Sequence, residues 1–255
     1  MIANYHTHTF RCGHAKGEDR AYVETAVARG LRVLGFSDHV PMRFADGHVS
    51  NFRVPVGQLE DYVNSVLSLR DEYKADIDVR LGFEMEYYPD TFEDTLALLR
   101  PYPVDYLLLA GHFNDSREAV YNPSMAQDRA ALHTYVDRVT AGMETGAFTY
   151  VAHPDLFYFA GPDEVYTEEM TRLCETARAL DVPLEINVLG LRIGRCYPND
   201  RFWPIVKALG CRAVIGCDAH DPKDVADPEQ LRLAADYAAR FGVTPEEDIA
   251  LRRPF

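Results

Sequence analysis

The sequence predicts a parallel α/β fold, and three observations predict it. Seven apolar, strand-like runs alternate with helix-like stretches from one end of the 255-residue chain to the other. Several runs are short and largely apolar, as strands are when both faces of a parallel sheet are covered. Histidines and acids recur where the runs end. Alternating βα units lead to a parallel sheet, open or closed, and the length matches a single (β/α) barrel. Length alone would also admit two small domains. No linker, internal repeat or low-complexity segment marks a boundary, however, so one domain over residues 1–255 is expected.

In chain order, the strands read as residues 2–6, 32–37, 78–84, 105–111, 149–152, 183–187 and 212–217. Between them, residues 18–29, 57–73, 91–99, 124–144, 167–180 and 201–209 carry apolar side chains at helical spacing, and residues 227–241 supply a last helix. Gly30, Gly146 and Gly210 stand where helices should stop. Two longer connections, 41–55 and 114–123, break the rhythm, and loops of that length are often functional.

Composition narrows the function. Hydrophobic residues make up 47% and charged residues 26%, ordinary globular usage. A formal net charge of -14 disfavours nucleic acid or an anionic membrane as partner. An anionic substrate must then be drawn in by local positive charge, which bound metal ions would provide. Five widely spaced cysteines without a Cys-x-x-Cys indicate neither a disulfide framework nor a zinc ribbon, and reduced thiols in a cytoplasm fit best. The N-terminus lacks a signal-peptide pattern, and no apolar run approaches the roughly 20 residues of a membrane span.

The residues suited to chemistry gather at the strand ends. His6 and His8 close the first strand, and alternation along a strand turns both to one side, a geometry that suits a metal ion. Asp38-His39 comes after the second, Glu84 and Glu86 stand at the third, His112 comes after the fourth, His153 after the fifth and Asp218-Ala219-His220 after the seventh. In a parallel barrel these strand ends gather on one face, where active sites lie. A lone His112 or His153 would be unremarkable, whereas so many metal-type residues at one end of successive strands point to a site. Glu86, Asp155 and Glu185 are placed to orient ligand imidazoles, and salt bridges to helices would explain them equally well. His48 reads as a solvated loop residue, and His133, inside a helix, as structural.

His6-Thr7-His8, His14, Ser37-Asp38-His39, Gly82-Phe83-Glu84, Gly111-His112-Phe113, His153-Pro154-Asp155 and Asp218-Ala219-His220 resemble the polymerase and histidinol phosphatase (PHP) superfamily. The resemblance runs from Ile2 to about Asp221, and residues 84–89 and 190–192 look most like its compact histidinol-phosphate phosphatases. It implies a distorted (β/α)7 barrel holding three divalent metal ions, zinc, manganese or iron. Carried over by position, His6, His8, Glu84 and Asp218 would hold one ion, His14, His39 and His220 a second, and Glu84, His112 and His153 a third. Glu84 would then bridge two ions, and Glu84, Asp218 and His39 are the catalytic candidates.

A hydroxide between closely spaced ions can attack phosphorus. The chain carries no Ser-His-Asp pattern, cysteine-nucleophile motif or phosphate-binding Gly-x-x-x-x-Gly-Lys-Ser/Thr loop. Hydrolysis of a small phosphate monoester, L-histidinol phosphate above all, is the expectation. The alternatives are a phosphodiesterase or nucleotide phosphatase of the same superfamily, or a noncatalytic metal-binding module. Arg192, then Arg195, in the glycine-flanked loop after the sixth strand, are expected to grip the phosphate, with Arg117 after the fourth strand as a rival.

Overall fold

A computed structural model describes residues 1–44, 47–123 and 128–255. Seven parallel strands, β1 (Ala3–Asn4), β2 (Val33–Phe36), β3 (Asp78–Glu86), β4 (Tyr106–Ala110), β5 (Tyr150–Val151), β6 (Leu184–Asn187) and β7 (Ala213–Gly216), pair in sequence order. Around them lie α1 (Asp19–Ala28), α2 (Leu59–Tyr73), α3 (Phe92–Leu99), α4 (Arg129–Glu144), α5 (Asp163–Ala179), α6 (Val188–Ile193), α7 (Trp203–Leu209) and α8 (Pro228–Arg240). The result is the distorted (β/α)7 barrel expected, in one domain.

The distortion has a visible cause. Past β1 and β7 the sheet closes, with Thr7 bridged in parallel to Ala219 and the His8 amide donating to the Ala219 carbonyl at 2.9 Å. At the opposite end the C-terminal segment slips between the two strands. The Glu246 amide donates to Ala213 and the Ala3 amide to Glu247, at 2.8 and 3.2 Å. The first and last strands are thus spread at one end and joined at the other, where the histidines lie.

The helices form because each lays an apolar stripe on the sheet. On α2, Leu59, Tyr62, Val63, Val66 and Leu69 fall at helical spacing and are all buried, and burying side chains of this size contributes about 1.5–3 kcal/mol apiece. Asp128 caps α4 by accepting from the Ala131 amide, and Asp227 caps α8. The three glycines expected to end helices, Gly30, Gly146 and Gly210, all take positive φ. The expected start of the fourth helix at residues 124–127 lies outside the described residues.

Two layers of core result. Outside the sheet, helix and strand side chains pack together. Inside it, Tyr5, Tyr106, Leu108, Tyr150, Ala152, Val214 and Ile249 form a separate plug. The Tyr106 hydroxyl donates to the Tyr5 carbonyl at 2.7 Å. Its ring needs the facing strands bare, because a Cβ on Gly35 or Gly82 would meet the tyrosine at 2.2 or 2.4 Å. This plug is the floor on which the site rests.

Three local expectations are corrected. β3 runs on past Glu84 to end at Glu86, so the two carboxylates share one face of the strand. The fifth helix begins at Asp163, four residues early, because Pro162 sets its entry and Asp163 and Glu164 fill its first turn. The loop after the sixth strand contains α6, whose N-cap is Asn187, accepting from the Gly190 amide, and whose end is Gly194 with a left-handed φ of 66°. Among the described residues, no helix is long and apolar enough to cross a membrane.

Candidate metal centre

His6, His8, His39, Glu84, His112, His153 and Asp218 all lie buried at the closed end of the barrel, with His220 part-buried and His14 exposed at the mouth. Two of these positions are strained: His153 and Asp218 take φ of 30° and 49°, which non-glycine residues hold at a cost of about 1–3 kcal/mol each. The turns after β5 and β7 spend that strain on aiming the side chains inward.

Glu84 is the hub. Its Oε1 lies 3.4 Å from His6 Nε2, 3.5 Å from His112 Nε2 and 2.9 Å from His153 Nε2. Its Oε2 lies 3.0 Å from His39 Nδ1 and 3.6 Å from His8 Nε2. Asp218 Oδ1 stands 3.1 Å from His8 Nε2, 3.5 Å from His6 Nε2 and 3.3 Å from His220 Nδ1. Nε2 of His6 and His8, Nδ1 of His39, both Glu84 oxygens and Asp218 Oδ1 are buried yet make no hydrogen bond of standard geometry among the described residues. Buried lone pairs aimed at one another are costly unless something positive sits between them, so the donor set fits divalent cations.

The outer nitrogens are held instead. His6 Nδ1 lies 2.7 Å from Glu185, His112 Nδ1 2.7 Å from Glu86 and His8 Nδ1 3.3 Å from Asp38. His14 and His220 direct Nδ1 at backbone carbonyls, both at 3.0 Å. A ring fixed through Nδ1 presents Nε2 as the donor atom. Glu86 and Glu185 thus stand where the sequence suggested, whereas Asp155 does not. It accepts from the Asn199 amide at 2.6 Å and Trp203 Nε1 at 3.1 Å, because its turn faces the loop before α7 rather than the histidines. Asp38 was missed as an orienting acid, although it sits inside the Ser37-Asp38-His39 motif.

Charge within the cluster runs the same way. Burial alone would keep Glu84 protonated, but His112, His6 and His39 together hold its carboxyl well below the usual range. Burial opposes charge on His6 too, yet Glu185, Asp218 and Glu84 lift it well above an ordinary imidazole, and Asp218 and Asp38 lift His8 to about 9 against the same burial. Burial and the neighbouring His8 push His39 and His220 the other way, His220 to about 3. The buried carboxylates call for balancing positive charge, which a divalent ion would supply with the imidazoles neutral.

Donor atoms of His6, His8 and Glu84 lie within 4.8 Å of one another, as do those of His6, His153 and Asp218 and of His8, His39 and His220. The His14 ring stands 4.9 Å from that of His220 and 5.3 Å from that of His39. Cys12 joins His14 and His220 in a further group. Burial pushes its thiol up, and Sγ donates to the Thr9 carbonyl at 3.1 Å, so the imidazoles remain the donors there.

A cleft of about 300 Å³ opens over the cluster, lined by His14, His39, Phe52, His112, Tyr121, Leu189, Arg195, Tyr197, Asp218 and His220. Arg195 donates to the Tyr121 hydroxyl at 2.8 Å. Arg192 is not brought there: α6 turns it away, and its guanidinium pairs with buried Asp224 at 3.0 Å. Arg117 is exposed on the loop after β4 and does not line the cleft. His48 lies 3.2 Å from Glu118 rather than in the cleft, and His133 links α4 to α5 through Glu169 at 2.8 Å.

A parallel barrel with imidazoles and carboxylates converging at the C-terminal ends of its strands defines a protein built around a candidate metal centre. The chain belongs to the PHP domain family, whose family profile matches residues 4–188. It is 28% identical over 235 residues to a probable histidinol-phosphatase of Deinococcus radiodurans, covering 88% of each chain. It is 30% identical over 116 residues to a histidinol-phosphatase of Bacillus subtilis, covering 42% of each. Its fold is similar to that of histidinol phosphate phosphatase from Lactococcus lactis, solved with zinc, L-histidinol and phosphate, with a TM-score of 0.74, 17% identity, and 99% of this chain and 97% of that chain covered.

Proposed function

We propose that the chain hydrolyses L-histidinol phosphate to L-histidinol and phosphate, using divalent ions held by the nine residues His6, His8, His14, His39, Glu84, His112, His153, Asp218 and His220. The observation that carries this reading is the juxtaposition of unsatisfied buried donors with a small cleft that Arg195 also lines. The named relatives support the choice of ester. A volume of about 300 Å³ is at the lower end for ligand sites, which suits a small monoester better than a polymer.

His6, His8, Glu84 and Asp218 would hold one ion, His14, His39 and His220 another, and Glu84, His112 and His153 a third, with Glu84 shared. Such ions supply an acidified water as nucleophile and positive charge opposite the phosphoryl oxygens. Arg195 binds the phosphate from the rim as a planar fork, and Phe52, Tyr121 and Tyr197 wall the leaving group and limit water. Glu185, Glu86 and Asp38 hold the imidazoles in the tautomer that faces the ions.

Steady-state turnover of L-histidinol phosphate against a panel of nucleotides and phosphodiesters, on protein of measured metal content, tests the reading. Selective hydrolysis of the first supports it. Preference for a nucleotide or diester assigns the chain to another activity of the family, and no turnover with zinc, manganese or iron leaves a binding module.

A further inference from the structure

We propose that Arg53 and Glu118, from the two long loops, are positioning residues that fix the His112 imidazole from behind. The proposal rests on the assignment of His112 as a metal ligand made above. Four charged or ionisable side chains form one buried line. Glu118 Oε1 accepts from Arg53 Nε at 2.6 Å, an Arg53 terminal nitrogen lies 2.7 Å from Glu86 Oε2, and Glu86 Oε1 lies 2.7 Å from His112 Nδ1. The line ends on the hub, where His112 Nε2 stands 3.5 Å from Glu84 Oε1. The side chains of Arg53, Glu86 and Glu118 are only 1%, 2% and 6% exposed, so water has little access to them.

Each link needs the next. The His112 ring can rotate about its side-chain bonds, and the bond to Glu86 sets its plane. Glu86 has a second oxygen, and it faces the Arg53 guanidinium as a close buried ion pair without the geometry of a standard hydrogen bond, so the fixed charge of Arg53 biases how the carboxylate turns. The Arg53 guanidinium is a permanent positive charge against this carboxylate, and the other carboxylate oxygen is left for the imidazole. Arg53 comes from a loop rather than a strand, and a loop arginine holds position only if it is itself anchored. Glu118 provides the anchor, taking Ser50 Oγ at 3.1 Å on the same oxygen and facing His48 at 3.2 Å with the other. Glu118 takes φ of 57°, a conformation that L side chains rarely adopt. A planar guanidinium meets the two carboxylates from fixed directions, whereas an ammonium is a point charge on a flexible stem that would hold them less rigidly.

The test uses the full-length zinc-loaded protein challenged with EDTA. For Arg53→Met the expected result is that one zinc equivalent leaves about tenfold faster or more than in the parent, on the scale seen when groups behind a metal ligand are lost, while the remainder leaves at the parental rate. Arg53→Lys should recover part of the difference, and Glu118→Gln should show a smaller change of the same kind. Release of every equivalent at the parental rate, or of all equivalents together, would overturn the proposal. If Arg53→Met does not fold, Glu118→Gln, which keeps size and an acceptor oxygen, is judged by the same criterion. Zinc release is read without substrate, so a parent inactive on L-histidinol phosphate would sink the functional reading and leave this result standing.

Discussion

Arg195 donates to the Tyr121 hydroxyl at 2.8 Å, joining the segment after β6 to the loop after β4 across the mouth of the cleft. The guanidinium thereby stands over the imidazoles, where an anion entering the cleft would meet it. Losing a charge-assisted phosphate contact costs about 1.5–3 kcal/mol, roughly ten- to more than hundredfold in kcat/KM. Arg195→Ala should show that loss at unchanged metal content, whereas Arg192→Ala, which breaks a pair with Asp224 outside the cleft, should stay within about threefold. The reverse ranking would return Arg192 to the substrate.

Glu84 faces five imidazoles, and a neutral amide is a poor substitute for an anion between cations. Glu84→Gln is expected to keep the fold by circular dichroism and lose metal and nearly all turnover. Normal metal content by elemental analysis would remove Glu84 from the centre.

His6 and His220 belong to different proposed ion sites, although both approach Asp218. His6→Asn and His220→Asn should each reduce metal content by a different equivalent, read as distinct steps in a zinc titration. Identical losses would argue for one cooperative cluster.

Removal of the ions should also weaken the fold, since Glu84 and Asp218 remain buried among imidazoles. An ion present at about a hundred times its dissociation constant stabilises by about 2.7 kcal/mol. For a chain of this length that corresponds to roughly 5–10 °C in Tm. Scanning calorimetry with and without chelator reads it directly, and a Tm indifferent to chelator would contradict binding at these residues.

The interior plug makes a prediction away from the chemistry. A methyl on Gly82 would meet the Tyr106 ring at 2.4 Å, with no room to retreat among Tyr5, Leu108 and Tyr150. Gly82→Ala should destabilise by about 1–3 kcal/mol, the usual result of overpacking, by urea unfolding.

The barrel was legible because parallel strands covered on both faces leave apolar runs, and the convergence of these side chains was legible because histidines and acids stand in order at the ends of those runs. The arginines were not legible to the same degree. Two glycines make residues 190–195 look like an open loop, yet Asn187 and Gly194 close a six-residue helix that turns Arg192 outward and leaves Arg195 facing in. Arg53 carried no local signal at all. A charged residue in a loop reads as solvated, and only the tertiary meeting with Glu86 and Glu118 buries it. Asp38 could have been found, since it directly precedes His39, one of the histidines that gather at the strand ends.

The most direct measurement is kcat/KM for L-histidinol phosphate on protein of determined metal content, with a ribonucleotide monophosphate and an aryl diester alongside. The proposed function requires metal-dependent release of phosphate from L-histidinol phosphate, at a kcat/KM above about 10⁴ M⁻¹s⁻¹, the lower end of ordinary enzyme efficiency, and at least about a hundredfold above either competitor, the scale of discrimination that pocket size and shape supply. Equal or faster turnover of a competitor, or no turnover by fully metal-loaded protein, would contradict it.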